Sequence, residues 1–253
     1  MIDIHSHVLP GVDDGARSFE ESLQMLHLAA AAGTTDIVAT PHASPEFDYD
    51  EPRIEALFKE LSEQTRGVIS LHLGCDFHLS YKNLIDALAH PTKYTIDHGR
   101  YLMVELPDLI SFSTVREGLR QLIRIGVTPV ITHPERNMSL QQKSGELMRW
   151  IQDGCTVQVT GQSFLGHFGP VAKAVSDKLI GANSLHFVAS DAHDCIDRPP
   201  DLSGAFKYLS EKYSPECAEL VCIGNPELLL NGEPVSLDLP LERKSLSFLA
   251  FAK

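Results

Sequence analysis

The 253-residue chain reads as an α/β protein whose parallel sheet closes into a barrel. Three observations predict this. Short apolar, β-branched runs alternate with longer stretches of helical periodicity along the chain, which is the grammar of repeated β-α units. No linker interrupts that alternation. When each run is extended to its C-terminal end, ionisable residues recur there, and in a parallel barrel those ends share the one face on which sites are built.

Seven strands are expected, at residues 2–5, 35–40, 68–74, 101–106, 128–132, 156–160 and 186–190, with helices at about 18–32, 51–66, 113–125, 140–153, 167–181 and 202–213. Ser18 and Glu21 form a capping-box start for the first helix, whose Leu23, Leu26 and Ala30 make one apolar stripe. Gly33 follows where a left-handed residue closes a helix, and Gly126 and Gly154 repeat that ending after Ile125 and Ile151. Residues 76–98 break the pattern and read as an insertion with a short helix around 82–89. From Pro234 onward no unit is visible. Leu246, Phe248, Leu249 and Phe251 are nevertheless too apolar for a solvated tail. Residues 1–233 are therefore expected to form the barrel, and 234–253 to dock on it or on a neighbouring copy in a homo-oligomer.

Composition narrows the function. A hydrophobic share of 43% with 22% charged residues is ordinary globular composition and excludes a disordered chain. With 21 Lys+Arg against 34 Asp+Glu, the formal charge of −13 argues against nucleic acid as a partner. An anionic substrate would have to be drawn in locally, by bound cations or a few arginines. The five cysteines (Cys75, Cys155, Cys195, Cys217, Cys222) are dispersed and form no C-x-x-C pair, which points to a reducing compartment. With no signal-like start and no apolar run of membrane-spanning length, the expected location is the cytoplasm.

The strand-end residues are His5 and His7, His42, Asp76 and His78, Glu105, His133 with Arg136, and Asp191 with His193. Side chains two apart share a strand face, so His5 and His7 can both reach one cation at about 2 Å from each nitrogen, and Asp191 and His193 repeat the spacing. Ser6 and Ala192 then point away. A lone H-x-H is a weak motif. Here the same signal returns at five strand ends. So many imidazoles and carboxylates exceed one coordination sphere, which implies two or three divalent metals, and a nitrogen-rich set with some carboxylate suits Mn, Fe or Zn better than Mg or Ca. In Gly11-Val12-Asp13-Asp14-Gly15, one aspartate is expected to serve the turn and the other, Asp14, to reach a metal. Arg136 and Arg198 each lie just past a ligand-bearing strand end, where a guanidinium can hold phosphate oxygens. Tyr81, His72, His90, His98, His167 and His186 lack such placement and read as surface or structural residues.

These segments resemble the PHP (polymerase and histidinol phosphatase) superfamily, and within it the bacterial manganese-dependent protein-tyrosine phosphatases of capsular and exopolysaccharide operons, the CpsB/YwqE type. The resemblance spans nearly the whole chain, through MIDIHSHVLPGVDDG at 1–15, TPH at 40–42, YLMVELP at 101–107, GVTPVITHPER at 126–136, ASDAH at 189–193, RPP at 198–200 and NPELLL at 225–230. It implies a distorted TIM-like (β/α)7 barrel with a trinuclear centre, manganese being the implied metal. His5, His7 and Asp191 would bind the first ion, Glu105 and His133 the second, and Asp14, His42 and His193 the third. The family places a bridging glutamate after the third strand, whereas this chain has the shorter Asp76, with His78 two residues on. Arg136 and Arg198 match the phosphate-binding arginines. The implied substrate is phosphotyrosine on the tail of a bacterial tyrosine kinase that controls polysaccharide export. A small-molecule phosphatase of the histidinol-phosphate type, another PHP phosphoesterase, and a phosphotyrosine-binding module without turnover remain alternatives.

Overall fold

The structure, a computed structural model, describes residues 1–107, 109, 111–143, 145–235 and 237–240. Its strands are β1 (Ile2–Ser6), β2 (Asp36–Ala39), β3 (His42–Ala43), β4 (Ser70–Leu73), β5 (Asp76–His78), β6 (Tyr101–Glu105), β7 (Thr128–Ile131), β8 (Thr156–Thr160) and β9 (Phe187–Ala189). All pair in parallel, in the orders β1-β2-β4 and β3-β5-β6-β7-β8-β9.

These two sheets are continuous staves of one barrel. Only Thr40 and Pro41 separate β2 from β3, and only Gly74 and Cys75 separate β4 from β5. Across the bend, Gly74 N donates to Ala39 O at 2.8 Å and Asp76 N to Pro41 O at 3.1 Å, so the bent strands stay paired. Pro41 has no N–H for the ladder, which explains why pairing breaks there. Gly74 is needed for room: a Cβ at this position would come within 2.9 Å of the Ile96 side chain. The strands expected at 35–40 and 68–74 thus become longer, bent ones. The seam closes where Asp191 N donates to His5 O at 2.9 Å and His7 N to Ala192 O at 2.8 Å, beside a parallel Ser6–Ala192 bridge. Seven parallel staves result, as the sequence predicts.

The helices are α1 (Phe19–Ala31), α2 (Glu51–Gln64), α3 (Tyr81–Ala89), α4 (Phe112–Arg124), α5 (Met138–Gln142), α6 (Gly145–Asp153), α7 (Gly161–Leu165), α8 (Gly169–Gly181), α9 (Ser203–Lys212), α10 (Pro215–Glu219) and α11 (Asn225–Leu230). Ser18 caps α1 by accepting from Glu21 N, while the Glu21 carboxylate reaches Arg17 N, one residue earlier than a strict capping box requires. Gly33, Gly126 and Gly154 all take positive φ. α4 buries Val115, Leu119 and Leu122, spaced three and four apart, against the sheet, each worth about 1.5–3 kcal/mol of transfer free energy.

Three expectations change. The helix read at 140–153 is two, because the Asn137 side chain caps α5 by accepting from Ser139 N and Leu140 N, and the backbone leaves helical geometry at Lys143. Residues 76–98 are no simple insertion, since Asp76, Phe77 and His78 pair with Met103, Val104 and Glu105 as a full strand. The short α7 carries too few residues for periodicity to reveal, whereas α10 and α11 are joined through a π-helical segment, Leu220–Gly224, into one helical run that the sequence reading did not include. At the C-terminal side, Tyr101 Oη donates to Glu233 O at 2.5 Å, Leu239 N to Asn183 Oδ1 at 3.1 Å and Ser214 Oγ to Pro240 O at 2.8 Å. Leu246, Phe248, Leu249 and Phe251 lie outside the described residues. Among the described residues, no helix is long and apolar enough to cross a membrane, and all five cysteines are free thiols.

Candidate metal centre

The seam between β1 and β9 brings the first and last motifs together. His5 Nε2 lies 3.5 Å from Asp191 Oδ1, and His7 Nε2 lies 3.5 Å from the same oxygen. The His7 and His193 rings are 4.1 Å apart, and His7 and His42 4.4 Å. Three of these imidazoles are oriented from behind. Gln158 Oε1 meets His5 Nδ1 at 3.3 Å, Asp13 Oδ2 meets His7 Nδ1 at 2.8 Å, and Asp191 O meets His193 Nδ1 at 3.0 Å. Such partners behind a metal-binding histidine fix its ring and leave the other nitrogen facing inward.

The bent staves supply the opposite wall. Asp76 Oδ2 sits 3.4 Å from His5 Nε2, 3.5 Å from His42 Nδ1 and 3.9 Å from His133 Nε2, so one carboxylate oxygen is shared by three imidazoles. Glu105 lies 3.8 Å from both His42 Nδ1 and His133 Nε2. Asp14 Oδ1 is 3.4 Å from His42 Nε2 and from His193 Nε2. Met103 and Val130 lie in a buried apolar cluster, and Glu105 and Thr132 follow them by two residues, so the polar centre rests on that cluster. His133 and Asp191 hold positive φ of 32° and 53°, uncommon for non-glycine residues and a recurrent mark of functional positions.

All nine residues expected at metals thus converge. Among the described residues, three groups have ligand atoms close enough to hold an ion: His5, His7 and Asp76; His42, Asp76 and Glu105; His7, Asp14, His42 and His193. The partition differs from the one the resemblance implies. Asp76 enters two groups, and His42 offers a different nitrogen to each side. His78 stands at the edge, with Nδ1 3.5 Å from Glu105 Oε2 and its ring partly exposed. A metal fits this donor set, because the buried atoms His5 Nε2, His7 Nε2, His42 Nδ1 and Asp76 Oδ2 have no hydrogen-bond partner, a costly arrangement unless a cation serves them.

Electrostatics agree. Burial pushes the Asp76 carboxyl up, yet His5, His133 and His42 hold it well below the usual carboxylate range. Burial likewise opposes ionisation of Asp191, but Arg136, His5, His7 and Arg198 keep it ionised. Asp14 is held low by hydrogen bonds to His193 and His42.

Arg136 and Arg198, expected to face a phosphate, both donate through Nη2 to Asp191 Oδ2, Arg198 at 2.6 Å. The Asp191 carboxylate attracts both guanidiniums because its other oxygen faces the two imidazoles. Both arginines still line the same cavity of about 280 Å³ as Asp14, His42, Asp76 and Glu105. Their Nε atoms are buried without a partner.

Four residues escaped the sequence reading. Asp13 does more than shape its turn: besides accepting from Gly15 N at 3.0 Å, it binds the His7 ring and His42 N. Gly15 must be glycine, since a Cβ would meet His7 O at 2.1 Å. Gln158 holds His5 and also accepts from His133 N at 3.2 Å; a polar residue amid the β8 run Thr-Val-Gln-Val-Thr was the available signal. Phe168 stacks against the arginines, 4.7 Å from Arg136 and 5.8 Å from Arg198, and nothing in its local sequence marks it.

A parallel α/β barrel with a histidine–carboxylate centre at the C-terminal strand ends defines a class, the metal-dependent barrel hydrolases. Within it, this chain belongs to the CpsB/CapC family of capsular polysaccharide synthesis, whose model matches residues 1–231. It is 32% identical over 262 residues to the tyrosine-protein phosphatase YwqE of Bacillus subtilis, covering 99% of this chain and all of the relative. It is 28% identical over 242 residues to the tyrosine-protein phosphatase CpsB of Streptococcus pneumoniae, covering 91% and 98%. Among solved structures, one from the crystallographic study of those two metal-dependent tyrosine phosphatases superposes with a TM-score of 0.86 at 29% identity, over 93% of this chain and 96% of that one. A lactonase from Listeria monocytogenes, at 13% identity and a TM-score of 0.51, shares the fold alone.

Proposed function

We propose that this protein is a metal-dependent protein-tyrosine phosphatase with two or three divalent cations, manganese in the cell, and that its substrate is phosphotyrosine on the tail of a bacterial tyrosine kinase controlling capsule or exopolysaccharide synthesis. The observation that carries the reading is the single oxygen of Asp76 shared by His5, His42 and His133, in a cavity that Arg136 and Arg198 also line. His5, His7 and Asp191 would hold one cation, Glu105 and His133 a second, and Asp14, His42 and His193 a third, as the resemblance implies, with Asp76 and His42 each within reach of a second ion. Bound cations supply Lewis acidity, activating water near neutral pH and neutralising charge on the phosphoryl oxygens.

The chain's own residues do the rest. Asp13 and Gln158 fix the His7 and His5 rings, so the inward nitrogens need no reorganisation when a ligand arrives. The guanidiniums of Arg136 and Arg198, always charged, orient the phosphate through N–H donors and oppose the growing charge during in-line displacement. Tyrosinate leaves with a pKa near 10, which lessens the demand on a general acid.

Chelator-treated protein should not hydrolyse a phosphotyrosine peptide or p-nitrophenyl phosphate, and added Mn should restore both activities. Activity that survives metal removal would sink the proposal. Faster turnover of histidinol phosphate than of the peptide would replace the substrate while keeping the metals.

A further inference from the structure

The cavity at the candidate metal centre has neighbours. His42, Glu105 and Leu106 line it and also line an adjoining depression of about 360 Å³, which reaches Phe47, His78 and Pro107. Ser44 and Phe47 in turn line both that depression and a cleft of about 560 Å³ between the 43–50 loop and α3. Shared walls set the three side by side as a stepped groove, and neither outer part is lined by Arg136 or Arg198.

Phe47 forms the ridge between the two outer parts. Its ring lies parallel to the His42 ring, with centroids 5.8 Å apart and planes 12° apart. The loop carrying it is a closed turn: Ser44 Oγ accepts from Glu46 N and Phe47 N, both at 3.2 Å, and Ser44 N donates to Phe47 O at 3.0 Å.

In the far cleft the polar groups are matched among themselves. Lys93 pairs with Asp86 at 2.8 Å, Tyr94 Oη donates to the same carboxylate at 2.5 Å, Lys82 lies 3.6 Å from Asp48, Asp50 caps α2, and Asn83 donates to the backbone at Ala43 and His78. Beside these charged groups the cleft offers apolar surface from Phe47, Ile85 and Ala89, with Ile85 48% exposed. A recess that joins apolar surface to matched charges and lies two shared walls from a reaction centre is the form expected of a subsite for a side chain beyond the reacting group.

We propose that this groove docks the polypeptide flanking the phosphotyrosine, and that the cleft beyond Phe47 takes an apolar or aromatic side chain of that segment. The inference rests on the phosphatase reading above and adds a sequence preference to it. Small aryl phosphates end short of the cleft and do not sense it.

The test uses the full-length Mn-loaded protein and a set of phosphotyrosine peptides in which one Phe is moved through each flanking position of an otherwise Ala/Ser background, with p-nitrophenyl phosphate alongside. At one position or an adjacent pair, kcat/KM should rise by about tenfold over the all-Ala/Ser peptide, from burial of one ring. In Ile85→Glu, and in the milder Ile85→Ser, that rise should shrink to within about twofold. Equal turnover of every peptide by the unmodified protein would overturn the docking inference and leave the phosphatase reading intact. So would a loss in both variants that is as large on p-nitrophenyl phosphate as on the Phe peptide. If no phosphotyrosine peptide is turned over while another phosphoester is, the tyrosine-phosphatase reading on which the inference rests falls.

Discussion

Two histidines are buried at opposite ends of the barrel, and their surroundings differ in one respect. His186 precedes β9 at its N-terminal end, where its Nδ1 accepts from Val157 N at 3.0 Å and no carboxylate among the described residues acts on it; burial alone pushes its pKa down to about 4. His7 follows β1 at the C-terminal ends. Burial presses on it too, but Asp13 and Asp191 overcome that pressure and hold its pKa well above the usual value. Burial therefore makes an imidazole neutral, and carboxylate company makes it seek positive charge. The anions that favour a proton on His7 also favour a metal ion there, since either cation satisfies the same field.

The comparison breaks first at its most crowded point. Asp76→Ala removes the oxygen common to His5, His42 and His133, and should lower kcat/KM on a phosphotyrosine peptide on the order of a thousandfold, with loss of bound metal by elemental analysis. Retention of both metal and activity would show that the shared carboxylate is incidental.

The His186 end should respond in stability instead. Its folded pKa lies below the unfolded value, so its contribution is complete above about pH 6.5 and is lost as pH falls through about 4. The depression corresponds to at most about 3 kcal/mol. His186→Asn keeps an acceptor for Val157 N and removes the titration. Between pH 7.5 and pH 4, the metal-free variant should gain on the metal-free native chain by up to that amount in urea unfolding; parallel pH profiles would refute the assignment.

Asp13→Asn tests whether orientation by a charged partner matters to His7. It should weaken Mn binding about 10–100-fold, read by titration calorimetry. An unchanged affinity would reduce Asp13 to a turn residue. The smallest effect belongs to His78, partly exposed and touching only Glu105 within the centre. His78→Ala should change kcat/KM by no more than about fivefold, as for an exposed ion pair. A larger loss would make His78 a ligand.

Much of this was readable from residue order. The H-S-H and D-A-H spacings pointed at one cation because alternation puts such pairs on one strand face, and the seam hydrogen bonds between residues 5–7 and 191–192 hold the two motifs side by side. The bends at Pro41 and Gly74 were less readable. A strand-length window ends at the break, although the ladder continues beyond it, and so Asp76 looked like the start of an insertion when it opens β5. Gln158 and Asp13 were missed because each has an ordinary local reading, a strand polar residue and a turn residue. Their roles exist only across separations of 153 and 6 positions.

By itself, the sequence determined the number of staves, the face on which the ionisable residues gather and the chemical character of that face, since all three follow from local periodicity and residue type. The tertiary structure decided the sharing: which nitrogen of His42 meets which carboxylate, why Asp76 serves three imidazoles, and why both arginines lean on Asp191. Those facts depend on distances between side chains of different strands, which are set by how the barrel bends and closes and have no counterpart in any single segment.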